Sequence, residues 1–247
     1  MDVGKWKEGR FLERPNRFLA VVEVEGERAE VHVPDPGRLR ELLLPGVRVR
    51  LRPASGRGRS TSWDLIGVES PQGWVNIDSW LPNLLFAEAV REKRLEEFKS
   101  ISRLTPEYRY GESVLDFLLE GGGRPCLVEV KGCTLAVNGV ALFPDAPTAR
   151  GTRHLEELMR ATREGYRACA VFVVKHPGAR TFAANAETDP VFAAALHRAT
   201  SSGVEVIPYL APWRGRDIRL ERRLPLAEPE SRITPLRRKV PGSAAGG

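Results

Sequence analysis

Residues 114–119 (VLDFLL) and 127–131 (LVEVK) are two short hydrophobic runs separated by the turn sequence EGGGRP, a pattern that predicts a β-hairpin. Successive side chains of a strand point to opposite faces, so Glu129 and Lys131 should share one face of the second strand. Charged groups therefore stand where an ordinary buried strand has aliphatic side chains.

The glycine-rich turn also predicts the register of this hairpin. A turn symmetric about the Gly122–Gly123 bond sets Asp116 opposite Glu129, with Cβ atoms about 4.5 to 5.5 Å apart. Two carboxylates about 4 Å apart repel by roughly 4 kcal/mol at an effective dielectric near 20, so a positive charge must offset them. Lys131 supplies one charge, and Mg²⁺ or Mn²⁺ held by both carboxylates would supply more. A structural ion cluster of the same three residues is the alternative interpretation.

The composition is that of a globular protein with a modest excess of positive charge. The chain has 247 residues, is 42% hydrophobic and carries a formal net charge of +6, which makes nucleic acid a plausible partner. No run approaches the roughly 18 apolar residues of a membrane span, and the N-terminus lacks the apolar core of a secretory signal. We therefore expect a cytoplasmic protein without a membrane partner, with three reduced cysteines and no disulfides.

Positive charge is concentrated between residues 46 and 60, GVRVRLRPASGRGRS, which contain five arginines and no acid. Strand alternation would place the first three on one face, where they could contact DNA phosphates. Basic side chains also protect exposed edge strands from aggregation, so a solvated edge is the alternative. The candidates for phosphate contacts are Arg48, Arg50, Arg52, Arg57 and Arg59.

The first 81 residues are predicted to form a small β-barrel of the OB type. Short strands are expected at 18–24, 29–33, 47–51, 62–68 and 74–77, with a brief helix near 38–44. A β-sandwich is the alternative. An amphipathic helix that starts at a proline, residues 82–94, should then lead into a second domain.

Residues 82–224 are predicted to form a mixed α/β domain. After the hairpin and a strand near 141–143, the pattern indicates a helix at 148–164, a strand at 168–174, a helix at 190–202 and a strand at 204–209. The last residues, 225–247, are basic and rich in Pro, Gly and Ser, so they are predicted to be disordered.

An acid on one strand followed by Glu-x-Lys on its hairpin partner resembles the metal-dependent nuclease core written PD-(D/E)xK. A longer set of ordered stretches resembles the sugar fermentation stimulation protein (SfsA) family. These are RFLA (17–20), HVP (32–34), PG (45–46), PN (82–83), EA (88–89), YG (110–111), DFLL (116–119), VEVK (128–131), TL (134–135), FPDA (143–146), TARG (148–151), HLEEL (154–158) and GVEVIPY (203–209).

The resemblance implies an N-terminal OB-type domain, a C-terminal restriction-endonuclease-like α/β domain, and association with DNA. Asp116, Glu129 and Lys131 match the family's site, and Glu88 of the bridging helix could add a metal ligand. The chain departs from the family pattern at Val114 (usually Arg), Gly132-Cys133 (usually Ser-Val) and Ala149 (usually Glu). The missing arginine removes one expected contact to a substrate phosphate.

Further candidates for DNA contacts lie outside the hairpin. Arg17 falls in the matching RFLA stretch, and Arg150 and His154 are four residues apart near the start of a predicted helix, where they could meet phosphate. His154 could instead cap or pack, and Asp145 fits a turn better than a third metal ligand. Trp63 and Trp74 could stack on unpaired bases, although core packing is the commoner role of tryptophan.

Two functions fit these residues. One is a Mg²⁺-dependent nuclease in which the barrel presents DNA to Asp116, Glu129 and Lys131. The other is a DNA-binding regulator of sugar-utilisation genes that has the nuclease scaffold but does not cleave efficiently. A carbohydrate enzyme is disfavoured, because two acids on adjacent strands beside a lysine fit a metal better than glycoside chemistry.

Overall fold

The structure, a computed structural model, describes residues 1–54 and 58–227. Arg57 and residues 228–247 of the predicted tail lie outside the described residues. The described part of the N-terminal half contains six strands: β1 (Lys7–Asn16), β2 (Leu19–Val24), β3 (Glu27–His32), β4 (Arg48–Pro53), β5 (Trp63–Ser70) and β6 (Gly73–Asn76).

Five of these strands close into a barrel, which confirms the predicted OB-like domain. The strand order is β3-β2-β1-β4-β5-β6, and a parallel pairing of His32 with Asp64 joins β3 to β5. β4 shows the expected alternation, because Val49 and Leu51 are fully buried in the barrel core while its arginines point outward. The β4 arginines therefore lie outside the barrel core, where Arg48 and Arg52 are accessible and Arg50 is largely covered.

Two elements of the barrel differ from the prediction. β1 was not expected, because half of its sequence KEGRFLERPN is charged and Phe11 is its one fully buried side chain. The prediction of a helix near 38–44 is wrong. The Leu43 N–H bonds the Leu39 carbonyl in a single turn, and Leu39 has a positive φ of 48°. Pro45 lacks an N–H and cannot extend that turn into a helix.

The bridging helix α1 (Leu81–Arg91) connects the barrel to the second domain. Pro82 lies in its first turn, as predicted, and Leu85, Phe86 and Ala89 pack on the sheet that follows. The helix ends three residues earlier than expected, because Arg94 N–H bonds the Ala89 carbonyl in a closing turn.

The second domain is mixed α/β, as predicted. Its remaining elements are β7 (Arg103–Tyr110), β8 (Ser113–Glu120), β9 (Cys126–Cys133), β10 (Ala136–Val137), β11 (Val140–Phe143), α2 (Ala149–Arg163), β12 (Arg167–Val174), β13 (Thr181–Ala184), α3 (Pro190–Ser201), β14 (Glu205–Leu210), β15 (Trp213–Arg214), β16 (Asp217–Ile218) and β17 (Arg222–Arg223).

The main sheet of this domain has the order β17-β14-β12-β9-β8-β7, with β9, β12 and β14 parallel to one another. α1 packs against β9 in one hydrophobic cluster, and α2 and α3 pack on the sheet in another. The hairpin with the charged residues thus lies between helices on both sides. In the described ranges, no helix has the length and apolar character needed to cross a bilayer.

The three cysteines are buried free thiols, as the sequence predicts. Cys126 and Cys169 lie on neighbouring strands with their Sγ atoms 3.5 Å apart. Burial raises the pKa of Cys133 to about 12, so this thiol stays protonated near neutral pH.

The beginning of the C-terminal segment is ordered against the second domain. Phe182 N–H bonds the Pro225 carbonyl at 3.0 Å, and Ala227 N–H bonds the Phe182 carbonyl at 2.8 Å. Residues 225–227, which the sequence assigns to the tail, therefore pair with β13.

Lys175 is buried where the two domains meet. It directly follows β12, its side chain is only 1% exposed, and its Nζ donates to the Asp78 carbonyl at 3.2 Å. Burial lowers the pKa of Lys175, against the attraction of Asp35 and Asp78. The charged form of this lysine is thus disfavoured in the folded chain.

The lowered pKa predicts a pH dependence of stability that Lys175→Met removes. Between the folded pKa and the unfolded value of 10.5, the unfolded state binds more protons, so stability rises with pH in that window. The gain is about 1.4 kcal/mol for each pKa unit of depression. In urea denaturation from pH 7 to 10, the free energy of unfolding of the wild type should rise relative to that of Lys175→Met. Parallel curves would contradict the assignment.

Candidate active site

The hairpin of β8 and β9 has the predicted register. Phe117 pairs with Val128 and Leu119 with Cys126, and both pairs have residue numbers that sum to 245. The ladder ends at Phe117–Val128, one position before Asp116 would face Glu129. The two strands therefore separate where the charged residues begin.

Asp116 replaces the missing ladder contact with its side chain. Its Oδ2 accepts the backbone N–H of Val130 at 2.7 Å, and its Oδ1 accepts from Nδ2 of Asn83 at 2.8 Å. Asn83 belongs to α1, so Asp116 links both strands of the hairpin to the bridging helix. Sequence patterns did not indicate this role for Asn83, which belongs to the PN stretch.

Glu129 is the most enclosed residue of the site, with 3% of its surface exposed. Its Oε1 is bonded by Nζ of Lys131 and by Nδ1 of His154, which reaches it from α2. Its Oε2 is buried and has no hydrogen-bond partner among the residues that the structure describes. An unpaired buried carboxylate oxygen costs free energy unless a ligand satisfies it.

The two carboxylates have opposite pKa shifts. Burial raises the pKa of Asp116, and the neighbouring charge of Glu129 raises it further. Burial would also raise the pKa of Glu129, but the hydrogen bond from His154 and the charge of Lys131 outweigh it and hold the value below its usual range. Glu129 is therefore the firmly ionised member of the pair near neutral pH.

A groove between α2 and the β7–β8 turn is lined by His154, the hydrogen-bond partner of Glu129; we call it the helix groove. It has a volume of about 720 Å³, and its wall includes Val114, Arg150, Arg153 and His154. Nε of Arg150 lies 3.4 Å from Nε2 of His154, which confirms that these two side chains share a helix face. His154 thus joins the groove to the buried carboxylate.

Glu88 lies apart from this pair. Its Oε2 is 3.4 Å from the ammonium of Met1 and 3.1 Å from Nη2 of Arg94. Across residues 1–54 and 58–227, no three His, Cys, Asp or Glu side chains form a group that could hold a metal ion. The site presented by the chain consists of the carboxylates of Asp116 and Glu129 with Lys131 beside them.

Family models match both halves of the chain. A model described as "SfsA N-terminal OB domain" matches residues 12–77, and one described as "Sugar fermentation stimulation protein RE domain" matches residues 80–216. The chain belongs to the SfsA family. The boundary between the matches falls immediately before α1, where the barrel ends.

This chain matches several relatives in the SfsA family over most of their length. A sugar fermentation stimulation protein homolog from Moorella thermoacetica is 50% identical over 201 residues, which are 81% of this chain and 87% of the relative. A homolog from Methanothermobacter thermautotrophicus is 48% identical over 201 residues, 81% of this chain and 84% of the relative. The structure of Pyrococcus furiosus SfsA in complex with Ca²⁺ matches with a TM-score of 0.86 and 30% identity, covering 92% of this chain and 98% of that one.

The arginines of β4 and the following loop, which the sequence marks for DNA, are engaged within the SfsA barrel. Arg48 pairs with Glu8 and Glu69, Arg52 with Asp78, and Arg59 with Asp64. Arg50 is only 11% exposed and lies under the rings of Trp6, Trp74 and Trp213, at 4.5, 4.0 and 4.7 Å from their centroids. Except for Asp64, which is five residues from Arg59, their acid and aromatic partners are distant in sequence.

Other candidates from the sequence are placed as follows. Arg17 is exposed at the edge of a second groove, beside Arg38 and Arg40, which the sequence did not single out. Asp145 accepts the backbone N–H of Arg38 at 3.0 Å, a structural contact between the domains. Trp63 packs against the barrel core, and Trp74 against the hydrophobic cluster that also contains α1.

Proposed function

We propose that this SfsA-family chain is a DNA-binding protein with a Mg²⁺- or Mn²⁺-dependent phosphodiesterase site at Asp116, Glu129 and Lys131. The observation that carries the proposal is the unpartnered, buried Oε2 of Glu129 beside a second carboxylate. An acidic oxygen kept from both water and protein donors is suited to a hard cation.

The residues present fit such an ion. Mg²⁺ is commonly held by one or two carboxylates and completes its coordination with water and substrate phosphate, so a third protein ligand is not needed. The relative from Pyrococcus furiosus was solved in complex with Ca²⁺, another oxygen-preferring cation. When bound, the ion would polarise a phosphodiester oxygen and lower the pKa of a bound water.

The chain's own residues would position the reacting groups. Asn83 and the Val130 N–H fix the Asp116 carboxylate, and His154 fixes Glu129. Lys131, whose side chain is 22% exposed, is the positive group that could orient the attacking water or offset charge developing on the phosphate. A preorganised set of this kind acts by holding charge in place.

The direct test is cleavage by the purified chain. Labelled single-stranded and duplex DNA are incubated with the protein and Mg²⁺, Mn²⁺ or EDTA, under conditions where binding is measured in parallel. Metal-dependent products that are absent in EDTA support the proposal. Binding without cleavage in either metal would eliminate the phosphodiesterase.

A DNA-binding regulator without cleavage is the second candidate. Both oxygens of Asp116 and Oε1 of Glu129 already have protein donors, so most of the cluster is satisfied without a metal. The sugar fermentation stimulation name shared by the relatives fits a regulatory role. Under this reading, Asp116 and Glu129 maintain the hairpin, and the binding surface carries the function.

A further inference from the structure

Two sets of barrel arginines differ in what surrounds them. On β4, Nη1 of Arg48 lies 2.8 Å from Glu69 and Nη2 of Arg52 lies 2.8 Å from Asp78, while Arg50 lies among tryptophan rings. A phosphate would have to displace those carboxylates. In contrast, Arg17, Arg38 and Arg40 are exposed and form no ion pair with any residue in the described ranges.

These three arginines line one groove at the meeting of the two domains, which we call the junction groove. It has a volume of about 450 Å³ and also includes Arg14, Ala146 and Pro147. Among the residues that the structure describes, no acidic side chain lines it. Asp35 and Asp145 lie beneath its loop and accept the backbone N–H groups of Gly37 and Arg38. Its lining therefore presents only positive charge to a ligand.

Arg14 holds the walls of the junction groove in place. Its guanidinium donates to four backbone carbonyls, those of Arg17 at 2.6 Å and of Asp35, Gly37 and Arg38 at 2.9 Å each. One side chain thus ties together the two loops that carry Arg17 and Arg38. A groove preorganised in this way loses less entropy on binding an anion than flexible surface arginines would.

A short chain segment links the wall of the junction groove to the candidate active site. Its wall at Ala146 and Pro147 is followed by Thr148, whose Oγ1 accepts the Gly151 N–H and caps α2. Arg150, in the first turn of that helix, contacts His154, and His154 bonds Glu129. Residues 146–150 therefore connect the junction groove to the helix groove.

We propose that the junction groove binds the sugar-phosphate backbone of DNA through Arg17, Arg38 and Arg40 and leads the strand past residues 146–150 to Asp116 and Glu129. The proposal rests on the proposed function for the identity of the ligand. The principal phosphate contacts would then lie in this groove and not on β4, where the arginines already have protein partners. Among the described residues, Arg17, Arg38 and Arg40 have no acid partner.

The test compares two triple variants with the same change in charge. Arg17→Ala/Arg38→Ala/Arg40→Ala removes the groove arginines, and Arg103→Ala/Arg214→Ala/Arg216→Ala removes three exposed arginines that are paired with acids elsewhere. Binding to labelled duplex and single-stranded DNA is followed by anisotropy in EDTA over a series of salt concentrations. EDTA separates binding from cleavage.

The groove variant should bind more weakly and show a log-log salt slope shallower by roughly 2 to 3 units, since each lost phosphate contact removes about 0.9 on duplex or 0.7 on single strands. The control should keep the wild-type slope. An unchanged slope in a folded groove variant, or an equal change in the control, overturns the proposed role of the junction groove but leaves the proposed DNA binding standing. A wild type that binds no DNA overturns the proposed DNA binding as well.

A second inference concerns an exposed aromatic residue beside the acids. Trp80 directly precedes α1 and is 75% exposed, and Leu84, one turn later, is 53% exposed. Asn83 lies on the same side of the helix and donates to Asp116. Val114, two residues before Asp116 on β8, is 48% exposed. An apolar surface with one large ring therefore borders the candidate site.

We infer that Trp80 stacks on an unpaired base and so favours single-stranded or locally opened DNA at the site; this too rests on the proposed function. Stacking suits a ring that is open to solvent next to groups that would hold a phosphodiester. Trp63 and Trp74 are less suited, because Trp74 is covered by Arg50 at 4.0 Å and Trp63 packs on the barrel core.

Trp80→Ala should weaken binding to single-stranded DNA in EDTA by about 5-fold to 150-fold, without changing the salt slope. Trp80→Phe should restore most of the loss, since it retains a π-face, and duplex affinity should change little. Equal losses for single strands and duplexes, or no rescue by Phe in a folded variant, would refute stacking. The unchanged salt slope would distinguish a loss of stacking from a loss of phosphate contacts, which would make the slope shallower.

Discussion

Asp116→Asn should reduce Mg²⁺-dependent cleavage by more than about 100-fold. Loss of an outer-shell partner of a metal site already costs about 10-fold to 100-fold, and loss of a direct ligand should cost more. The substitution conserves shape but removes an anionic oxygen ligand. DNA binding in EDTA should persist or tighten slightly, because one carboxylate no longer repels phosphate. Glu129→Gln should cause a similar loss of cleavage. Gel assays of cleavage and anisotropy measurements of binding follow the two properties separately.

The two variants should differ in stability, and the pKa shifts give the sign. The pKa of Asp116 is raised, so its charge is disfavoured in the folded chain and Asp116→Asn should be no less stable than the wild type in EDTA. The pKa of Glu129 is lowered, so its charge contributes stability above the unfolded pKa, and that stability is lost as pH falls. Glu129→Gln should therefore cost about 1 to 3 kcal/mol near neutral pH.

Asp116→Asn is for this reason the cleaner test of metal chemistry. Glu156→Gln, which removes an exposed acid from the helix groove, is its matched control and should leave cleavage unchanged. Wild-type cleavage by Asp116→Asn would place the reaction elsewhere. Strong destabilisation of metal-free Asp116→Asn would instead make Asp116, Glu129 and Lys131 a structural ion cluster.

The hairpin could be predicted from sequence because its determinants are local. A glycine-rich turn with hydrophobic runs on both sides specifies the register, and the observed pairs of Phe117 with Val128 and Leu119 with Cys126 follow it. The same local logic located most barrel strands and the helices α1, α2 and α3. It missed β1, since a strand that buries little more than Phe11 carries almost no hydrophobic period.

The surroundings of Arg48, Arg50 and Arg52 could not be predicted, because their partners are far away in sequence. Nothing near Arg52 indicates that Asp78 neutralises it. Nothing near Arg14 indicates that it bonds the carbonyls of residues 35, 37 and 38. A cluster of arginines specifies positive charge, and only tertiary structure decides whether that charge is available to a ligand. The contact between His154 and Glu129 is of the same kind, since it joins α2 to β9 across 25 residues.

Arg50 best distinguishes two roles of the β4 arginines, packing within the protein and binding of DNA phosphates. Its guanidinium is surrounded by Trp6, Trp74 and Trp213, which come from the N-terminal segment, the barrel and the second domain. Gly67 allows this approach, because a Cβ there would lie 2.5 Å from the Trp213 ring. Arg50 therefore connects parts of the chain that are more than 200 residues apart in sequence, from Trp6 to Trp213.

Arg50→Ala should lower the free energy of unfolding by about 2 to 4 kcal/mol, because a desolvated cation–π contact contributes about 2 kcal/mol and truncation also leaves the rings unpacked. Arg48 lies on the same strand face but is exposed, pairs with the surface acids Glu8 and Glu69, and lies 5.6 Å from the centroid of one ring, that of Trp74. Arg48→Ala should therefore change stability far less. Urea denaturation followed by tryptophan fluorescence measures both. Under conditions where it remains folded, Arg50→Ala should keep the wild-type salt slope for DNA binding. Equal stability losses for the two variants would rule out the packing role, and a shallower slope for folded Arg50→Ala would return the phosphate contact to β4.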